Sequence, residues 1–210
     1  MSYSRSERAA LCALLTEAGP DAPTLCEGWT THDLAAHLVS RETRPDAGPG
    51  LLINVLSPHT EKIRRELMRR HSYPELVDMI RKGPPRWSLF GIGPVGELAN
   101  TIEYFVHHED VRRAAEGWQP RTLDPGMEQV LWRRLRAGAK LLLRRAPVGT
   151  VLRLPNGATV VGRARDPWVT VTGSASELTL FVFGRQRASR VETDGDEAAV
   201  QALRNAKLSV

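Results

Sequence analysis

The spacing of apolar residues changes near Pro147, and no other feature constrains the fold of this chain so strongly. Before this point apolar side chains recur at intervals of three and four residues, which predicts amphipathic helices. After it, residues 168–172 read WVTVT, an alternation typical of a half-buried strand. The dipeptide Asn156-Gly157 lies between two short apolar runs and favours a hairpin turn. The sequence therefore predicts an α+β fold whose two parts meet near Pro147.

Six helical segments are predicted before this boundary, most of them delimited by capping or helix-breaking residues. The second begins at its predicted N-cap, Thr30, and Asp33 three residues later completes a variant of the capping box. The others comprise residues 6–18, 51–70, 73–82, 95–116 and 125–145. Together these segments predict a helical bundle over residues 1–146.

Shorter elements are predicted after the boundary, where strands alternate with two helices. The strands are expected at residues 150–154, 158–161, 168–172 and 189–192. The helices are expected at residues 177–183, ended by Gly184, and at residues 194–206. These elements predict a small α+β domain over residues 147–210.

The composition is that of an ordinary globular protein. Of the 210 residues, 41% are hydrophobic and 25% are charged, which excludes a disordered chain. No apolar run is long enough to span a membrane, and the N-terminus lacks the apolar core of a signal peptide. Cys12 and Cys26 have no C-x-x-C spacing and predict no disulfide framework, and Cys26 is expected to be an inert, half-buried thiol. We therefore expect a cytoplasmic protein that does not bind a membrane.

The net charge of +5 and the isoelectric point near 9.7 make nucleic acid a partner to consider. Many of the basic residues form arginine doublets spread along the chain, such as Arg112-Arg113 and Arg133-Arg134. Doublets of this kind on the outer faces of helices usually serve solvation. No helix-turn-helix, zinc-finger or single-strand-binding pattern accompanies them. Nucleic acid binding is therefore the weakest of the functions that the sequence allows.

Glu103 and His107 carry the strongest chemical signal, because they form an E-x-x-x-H pair in an apolar helical segment. Residues four apart project from one face of a helix, so this carboxylate and imidazole can bind one divalent ion. His37, in the second predicted helix, is the expected third ligand. The ordinary alternatives are a weak pair of helix side chains and a hydrogen-bonded core histidine. The apolar neighbours of Glu103 favour the metal, since buried glutamate is rare unless it is paired or coordinates a metal.

Arg41 and Asp110 lie one turn beyond the expected ligands on the same helix faces. Arg41 is the candidate for catalysis and for binding a carboxylate of a thiol or substrate, with a salt bridge to a bundle carboxylate as the alternative. Asp110 is expected to hydrogen-bond a ligand and orient it, or else to pair with an arginine. His108 points about 100° away from His107 on the helix and is therefore a poor co-ligand.

The stretch CEGWTTHDLAAHL, followed far downstream by an E-x-x-x-H-x-x-D stretch, resembles the DinB-like and mycothiol-dependent maleylpyruvate isomerase superfamily. With the tail VTVTGSASELTLFVFGR, nearly the whole chain resembles an actinobacterial metal-binding branch of it. The W-x-x-x-D-x-x-x-H motif of the family is matched by Trp29, Asp33 and His37, and its Glu–His pair is matched by Glu103 and His107. The resemblance implies that the two histidines and Glu103 are metal ligands. It also implies a DinB-like four-helix bundle followed by a small sterol-carrier-like domain.

The superfamily's enzymes use low-molecular-weight thiols, mycothiol or bacillithiol, in transferase and isomerase reactions. The resemblance therefore implies a metal- and thiol-dependent transferase or isomerase that acts on a small electrophile. Zinc is the expected metal, and nickel and other transition metals also suit imidazole and carboxylate donors. Such a metal would stabilise the thiolate of mycothiol. The alternative is a non-catalytic metal-binding sensor or stress-response protein whose C-terminal domain binds an apolar ligand or a partner.

Overall fold

The chain divides into two compact units, Met1–Gln119 and Pro120–Val210, and the computed structural model describes residues 2–43, 58–85, 88 and 93–208. A helical N-terminal region is followed by a small part that contains a sheet, so the predicted α+β class is confirmed. Within the described ranges, no helix combines the length and the apolar content that crossing a membrane requires.

The described part of the first unit is helical and follows the predicted segments closely. Its helices are α1 (Tyr3–Ala18), α2 (Thr31–Thr43), α3 (Pro58–Arg70), α4 (Tyr73–Lys82) and α5 (Gly93–Arg112). Residues 51–57, predicted as the first part of the third helix, lie outside the described residues. The fifth helix ends at Arg112 rather than near residue 116, because turn residues lead into Gly117, whose φ of +69° ends the helical path.

Capping side chains explain where α2 and α4 begin. Asp33 Oδ2 accepts hydrogen bonds from the Thr30 backbone N–H (2.8 Å) and from the Thr30 hydroxyl (3.0 Å), as the capping box predicts. At α4, Glu75 accepts a hydrogen bond of 2.7 Å from the backbone N–H of Ser72. Gly83 ends α4 with a φ of +81°, in the left-handed region that favours glycine. Both ends of α4 therefore coincide with the predicted ones.

Four of these helices, α1, α2, α4 and α5, contribute apolar side chains to one core. Helix α1 packs against α4 and α5, and α2 packs against α3 and α4. The largest fully buried members of the core are Leu11, Leu15, Leu34, Leu38, Leu76, Ile80 and Tyr104. This packing holds α2 and α5, the two helices that carry the expected metal ligands, in a single bundle.

The second unit consists of a four-stranded sheet and three helices in its described residues. In chain order these are α6 (Pro125–Leu142), β1 (Gly149–Arg153), β2 (Thr159–Arg163), β3 (Trp168–Thr172), α7 (Ala175–Val182), β4 (Glu192–Gly195) and α8 (Glu197–Asn205). The strands lie in the order β2-β1-β3-β4. Strand β1 pairs antiparallel with β2 and parallel with β3, and β3 pairs antiparallel with β4.

The hairpin predicted at Asn156-Gly157 joins β1 and β2, and Gly157 has a φ of +88°. The last strand lies later in the chain than predicted, at Glu192–Gly195 instead of residues 189–192. The reason is a turn at Ser189, whose backbone N–H donates to the Arg185 carbonyl (2.9 Å) and whose hydroxyl donates to the Gln186 carbonyl (3.0 Å). These local hydrogen bonds compete with strand pairing, as serine side chains often do.

Helix α6 belongs to the second unit, although the sequence places it in the bundle that was expected to end at residue 146. It packs against α7 and β2, and Leu135 and Ala139 share a core with Phe181 and Leu203. Glu128 at its start accepts hydrogen bonds from the backbone N–H (3.0 Å) and hydroxyl (2.6 Å) of Ser176. The compact units therefore divide after Gln119, before the change of apolar period at Pro147. An amphipathic pattern predicts a helix but does not indicate which core that helix will join.

Candidate metal centre

The structure brings together the three residues predicted as metal ligands, His37 from α2 and Glu103 and His107 from α5. The Nε2 atoms of both histidines lie 3.3 Å from the same carboxylate oxygen, Glu103 Oε1. One donor atom from each residue lies within 4.8 Å of the other two. Two imidazole nitrogens and one carboxylate oxygen therefore face a common point between the two helices.

The surroundings of this point restrict water on the histidine side and leave the carboxylate more accessible. His37 is 1% exposed and His107 is 7% exposed, whereas the side chain of Glu103 is 22% exposed. The His37 ring lies 5.1 Å from the Trp29 ring and 5.3 Å from the His107 ring, measured between centroids. Trp29 thus packs at the entry to α2 and contacts the His37 imidazole.

The three residues differ in how their surroundings shift their pKa values. Burial alone would raise the pKa of Glu103, but the Arg41 guanidinium and the hydrogen bonds with both histidines outweigh it and hold this pKa well below its ordinary value. Burial lowers the pKa of His37, which leaves that imidazole neutral and able to donate a lone pair. Burial also opposes charge on His107, but hydrogen bonds with Asp110, Cys26 and Glu103 raise its pKa well above the ordinary value. Metal binding at His107 would therefore displace a proton.

Arg41 lies beside the site and contacts the predicted ligand set directly. Its Nε lies 3.5 Å from Glu103 Oε2, and its Nη1 donates a 2.8 Å hydrogen bond to Asn100 Oδ1. The side chain is nearly fully buried. A salt bridge to a bundle carboxylate was the alternative to substrate binding, and it is the contact that the structure contains.

Asp110 contacts His107 on the ring nitrogen that faces away from Glu103. The distance from His107 Nδ1 to Asp110 Oδ2 is 2.9 Å, and Asp110 is fully buried. A carboxylate in this position fixes the tautomer and the orientation of a metal-binding histidine. His108, on another face of α5, lies 3.1 Å from Glu7 Oε2 on α1 and is not part of the group.

Two residues at the site were not singled out as members from the sequence. Asn100 lies three residues before Glu103 on the same helix face, so helical spacing alone could have identified it. Cys26 donates a 3.3 Å hydrogen bond from its Sγ to Asp110 Oδ2. It precedes α2 in a loop and is 84 residues away from its partner, so no local pattern could have placed it there.

Comparison with known proteins connects this geometry to a family. Residues 3–47 match the family model described as the mycothiol maleylpyruvate isomerase N-terminal domain. The crystal structure of the mycothiol-dependent maleylpyruvate isomerase is similar over 91% of this chain and 90% of that chain, with a TM-score of 0.61 and 17% sequence identity. A histidine-to-alanine mutant of that isomerase has the same coverage and identity, with a TM-score of 0.55.

At this level of identity the structural likeness shows the fold, and the family model covers the segment that contains His37. The comparison with curated proteins gives no match. The resemblance to the DinB-like and mycothiol-dependent maleylpyruvate isomerase superfamily is confirmed.

Proposed function

We propose that this chain, which has the fold of the mycothiol-dependent maleylpyruvate isomerase, is a metal- and thiol-dependent transferase or isomerase acting on a small electrophile. In this proposal His37, Glu103 and His107 hold one divalent cation. The observation that carries it is the meeting of three donor atoms at one point. Three protein ligands are the number that catalytic zinc sites use, with the fourth position left for water or substrate.

The spacing of the donor atoms supports a cation at this point. Metal–ligand distances of about 2.0–2.2 Å in a tetrahedral zinc site separate the ligand atoms by roughly 3.4 Å. Each histidine Nε2 lies 3.3 Å from Glu103 Oε1, so both pairs already have this separation. Imidazole and carboxylate donors suit zinc, and they also suit nickel and other first-row transition metals.

A divalent cation held here would bind the sulfur of a small thiol, stabilise its thiolate and polarise a substrate carbonyl. We propose mycothiol as that thiol, because the structural relative is mycothiol-dependent. Asp110 would accept a hydrogen bond from the Nδ1–H of His107, which would leave the Nε2 lone pair for the cation. His37 contributes a neutral imidazole held by Trp29.

Arg41 has two proposed roles at this site. The first is to hold Glu103 in position through its ion pair, since the nearby guanidinium keeps the carboxylate ionised. The second is to bind a carboxylate of the thiol or substrate. The planar guanidinium presents five N–H donors, so one arginine can serve several acceptors at once.

The test measures metal and thiol binding in the full-length protein. The purified protein should contain about one metal ion per chain, held by three protein donor atoms. The His37→Ala and Glu103→Gln variants should lose that metal, whereas His71→Ala, which changes a histidine outside the group, should retain it. Retention of metal by both site variants would contradict the proposed ligand set.

Thiol dependence requires a separate measurement in which the protein's own nearby thiol is removed. In the Cys26→Ser background loaded with cobalt, added mycothiol should produce sulfur-to-cobalt charge-transfer absorption, since mycothiol is then the thiol supplied at the site. An unchanged cobalt spectrum would contradict a thiol-dependent reaction. It would favour the second candidate, a non-catalytic metal-binding sensor, which the burial of both histidines also supports.

A further inference from the structure

We propose that Cys26, Asp110 and the Nδ1 atom of His107 form a second cation site, adjacent to the first, that takes a thiophilic cation such as Cd²⁺. The Sγ of Cys26 lies 3.3 Å from Asp110 Oδ2, and His107 Nδ1 lies 2.9 Å from the same oxygen. The three donor atoms all lie within 4.8 Å of one another. This site goes beyond the proposed function, which uses only the opposite nitrogen of His107.

The loop that carries Cys26 is held in place before any cation binds. The hydroxyl of Thr24 donates to the Trp29 carbonyl (2.9 Å) and accepts a hydrogen bond from the Cys26 backbone N–H (3.2 Å). The Leu25 backbone N–H donates to the Asp110 carbonyl (3.1 Å), which fastens the loop to α5. Cys26 is half-buried, and Asp110 is fully buried. The donors are therefore preorganised, as specific metal sites require.

The chemistry of the donors distinguishes this site from the first. The first offers two imidazole nitrogens and one carboxylate oxygen, a set without sulfur. The second offers one sulfur, one nitrogen and one oxygen. Thiolate ligands select thiophilic metals, so cadmium should prefer the second site, whereas nickel should prefer the first.

The shared His107 ring makes the two sites mutually exclusive. A neutral imidazole has a lone pair on one ring nitrogen and a proton on the other, so it binds one cation at a time. With a cation at Nε2, the Nδ1–H donates to Asp110. With a cation at Nδ1, the Nε2–H faces Glu103 Oε1, 3.3 Å away. Each tautomer therefore has an acceptor for its proton.

Binding at the second site changes the protonation of the thiol in a balanced way. The Cys26 S–H bond breaks, a sulfur–metal bond forms, and the thiol proton passes to solvent. Any second proton on His107 is also released, since only the neutral ring is a ligand. No electron is transferred, so no oxidant or reductant is needed.

The test is a cadmium titration of the full-length protein, followed by sulfur-to-cadmium charge-transfer absorption in the ultraviolet. Wild type should develop the band as one cation binds per chain. Cys26→Ser should lose the band, and Cys12→Ser, which changes a thiol in the apolar core, should keep it. The affinity of Cys26→Ser for cadmium should fall by at least about tenfold, since even loss of an outer partner of a metal ligand costs that much.

The Glu103→Gln variant separates this proposal from the proposed function. It removes a donor from the first site and leaves all three donors of the second, so its sulfur–cadmium band should persist. A wild type without the band, or a band that survives Cys26→Ser, would overturn the second site even if the first binds metal normally. Circular dichroism of each variant should match that of wild type, so that an unfolded protein is not scored as a lost site.

Zinc displacement tests whether the two sites exclude each other. Cadmium added to zinc-loaded wild type should release zinc in a one-to-one ratio as the sulfur–cadmium band grows. A stable complex that retains zinc and also shows the band would overturn the exclusion, because it would require His107 to bridge two cations.

Discussion

The interiors of the two units differ in the kind of side chain that they bury. The core of the second unit is apolar, and among its described residues Glu177 is the one buried side chain with a formal charge. The first unit buries many ionisable groups beside its apolar core, namely Glu7, His37, Arg41, Glu42, Arg64, His107, His108, Glu109, Asp110 and Arg113. Buried charges are costly unless they are paired or bind a metal.

This difference indicates a division of roles along the chain. Most buried charges of the first unit occur in pairs, such as His108 with Glu7 and Arg113 with Glu109. In the second of these pairs Arg113 Nε lies 2.6 Å from Glu109 Oε2. Removing one member of such a pair costs more than the pair contributes, because the other charge remains buried. We therefore propose that the first unit holds the chemical site, whereas the second unit is stabilised mainly by close apolar packing.

The largest effect is expected from a cavity in the apolar unit. Phe181→Ala removes a fully buried ring from the core of the second unit, and should lower the free energy of unfolding by about 3–5 kcal/mol. Urea denaturation followed by circular dichroism measures this change. Metal binding by the first unit should remain at the wild-type level at low urea. Phe181→Leu, the matched control, should cost less because it keeps most of the apolar volume.

If Phe181→Ala loses its metal while the first unit stays folded, the proposed division of roles between the two units is wrong. It would show that the apolar unit supports the site directly.

The next effect concerns the site itself, through Asp110. Asp110→Asn keeps the shape of the side chain but removes the charge of the carboxylate whose Oδ2 lies 2.9 Å from His107 Nδ1. Because this carboxylate orients the His107 ring, metal affinity should fall about 10- to 100-fold. Isothermal titration with zinc measures the affinity. Glu116→Gln, which neutralises an exposed carboxylate near the end of the same helix, should leave the affinity unchanged. Equal zinc affinity in wild type and Asp110→Asn would show that the His107 orientation does not depend on this carboxylate.

Glu42 provides a smaller effect, on stability as a function of pH. Burial raises the pKa of Glu42 to about 7, despite a 2.6 Å hydrogen bond from the Tyr104 hydroxyl and the nearby Arg41 charge. Between the ordinary value of 4.5 and about 7 the folded protein therefore holds a proton that the unfolded chain has lost. Stability contributed by Glu42 is complete below pH 4.5 and is lost as the pH rises to about 7.

Glu42→Gln imitates the protonated carboxyl and can still accept the Tyr104 hydrogen bond. The variant should equal wild type near pH 4.5 and exceed its unfolding free energy by up to about 3 kcal/mol at pH 8. Urea denaturation at the two pH values provides the difference. Parallel pH dependence of wild type and variant would contradict a buried carboxyl that titrates near neutrality.

Many features of the fold and of the candidate site could be predicted from the sequence, because local patterns determine local structure. Helical spacing placed Glu103 and His107 on one face, and the motif that begins at Trp29 supplied His37. The capping box of Thr30 and Asp33 predicted the start of α2, and Asn156-Gly157 predicted the hairpin. Metal binding at the three residues remains a proposal.

What the sequence did not provide depends on contacts between distant segments. Helix α6 has an ordinary amphipathic pattern, so its packing against the second unit could not be read from it. Cys26 was expected to be an inert, half-buried thiol. No local pattern connects it with Asp110, although the fold sets the Cys26 Sγ 3.3 Å from Asp110 Oδ2. Likewise, only the tertiary structure shows that Arg41 lies beside Glu103, which is 62 residues away in the chain.

The smallest effect is expected from an exposed ion pair in the same unit that buries so many charges. Arg65 Nε lies 2.5 Å from Glu61 Oε1, but the arginine side chain is 70% exposed. Pairs of this kind contribute about 0.2–0.5 kcal/mol, because water screens the charges and ordering two long side chains costs entropy. Arg65→Ala should therefore change the unfolding free energy by no more than this amount, measured by urea denaturation at low and high salt. Salt screens exposed charges more strongly than buried ones. If Arg65→Ala lowers the unfolding free energy by more than about 1 kcal/mol at low salt and not at high salt, exposed ion pairs would contribute more to the stability of the first unit than this comparison assumes.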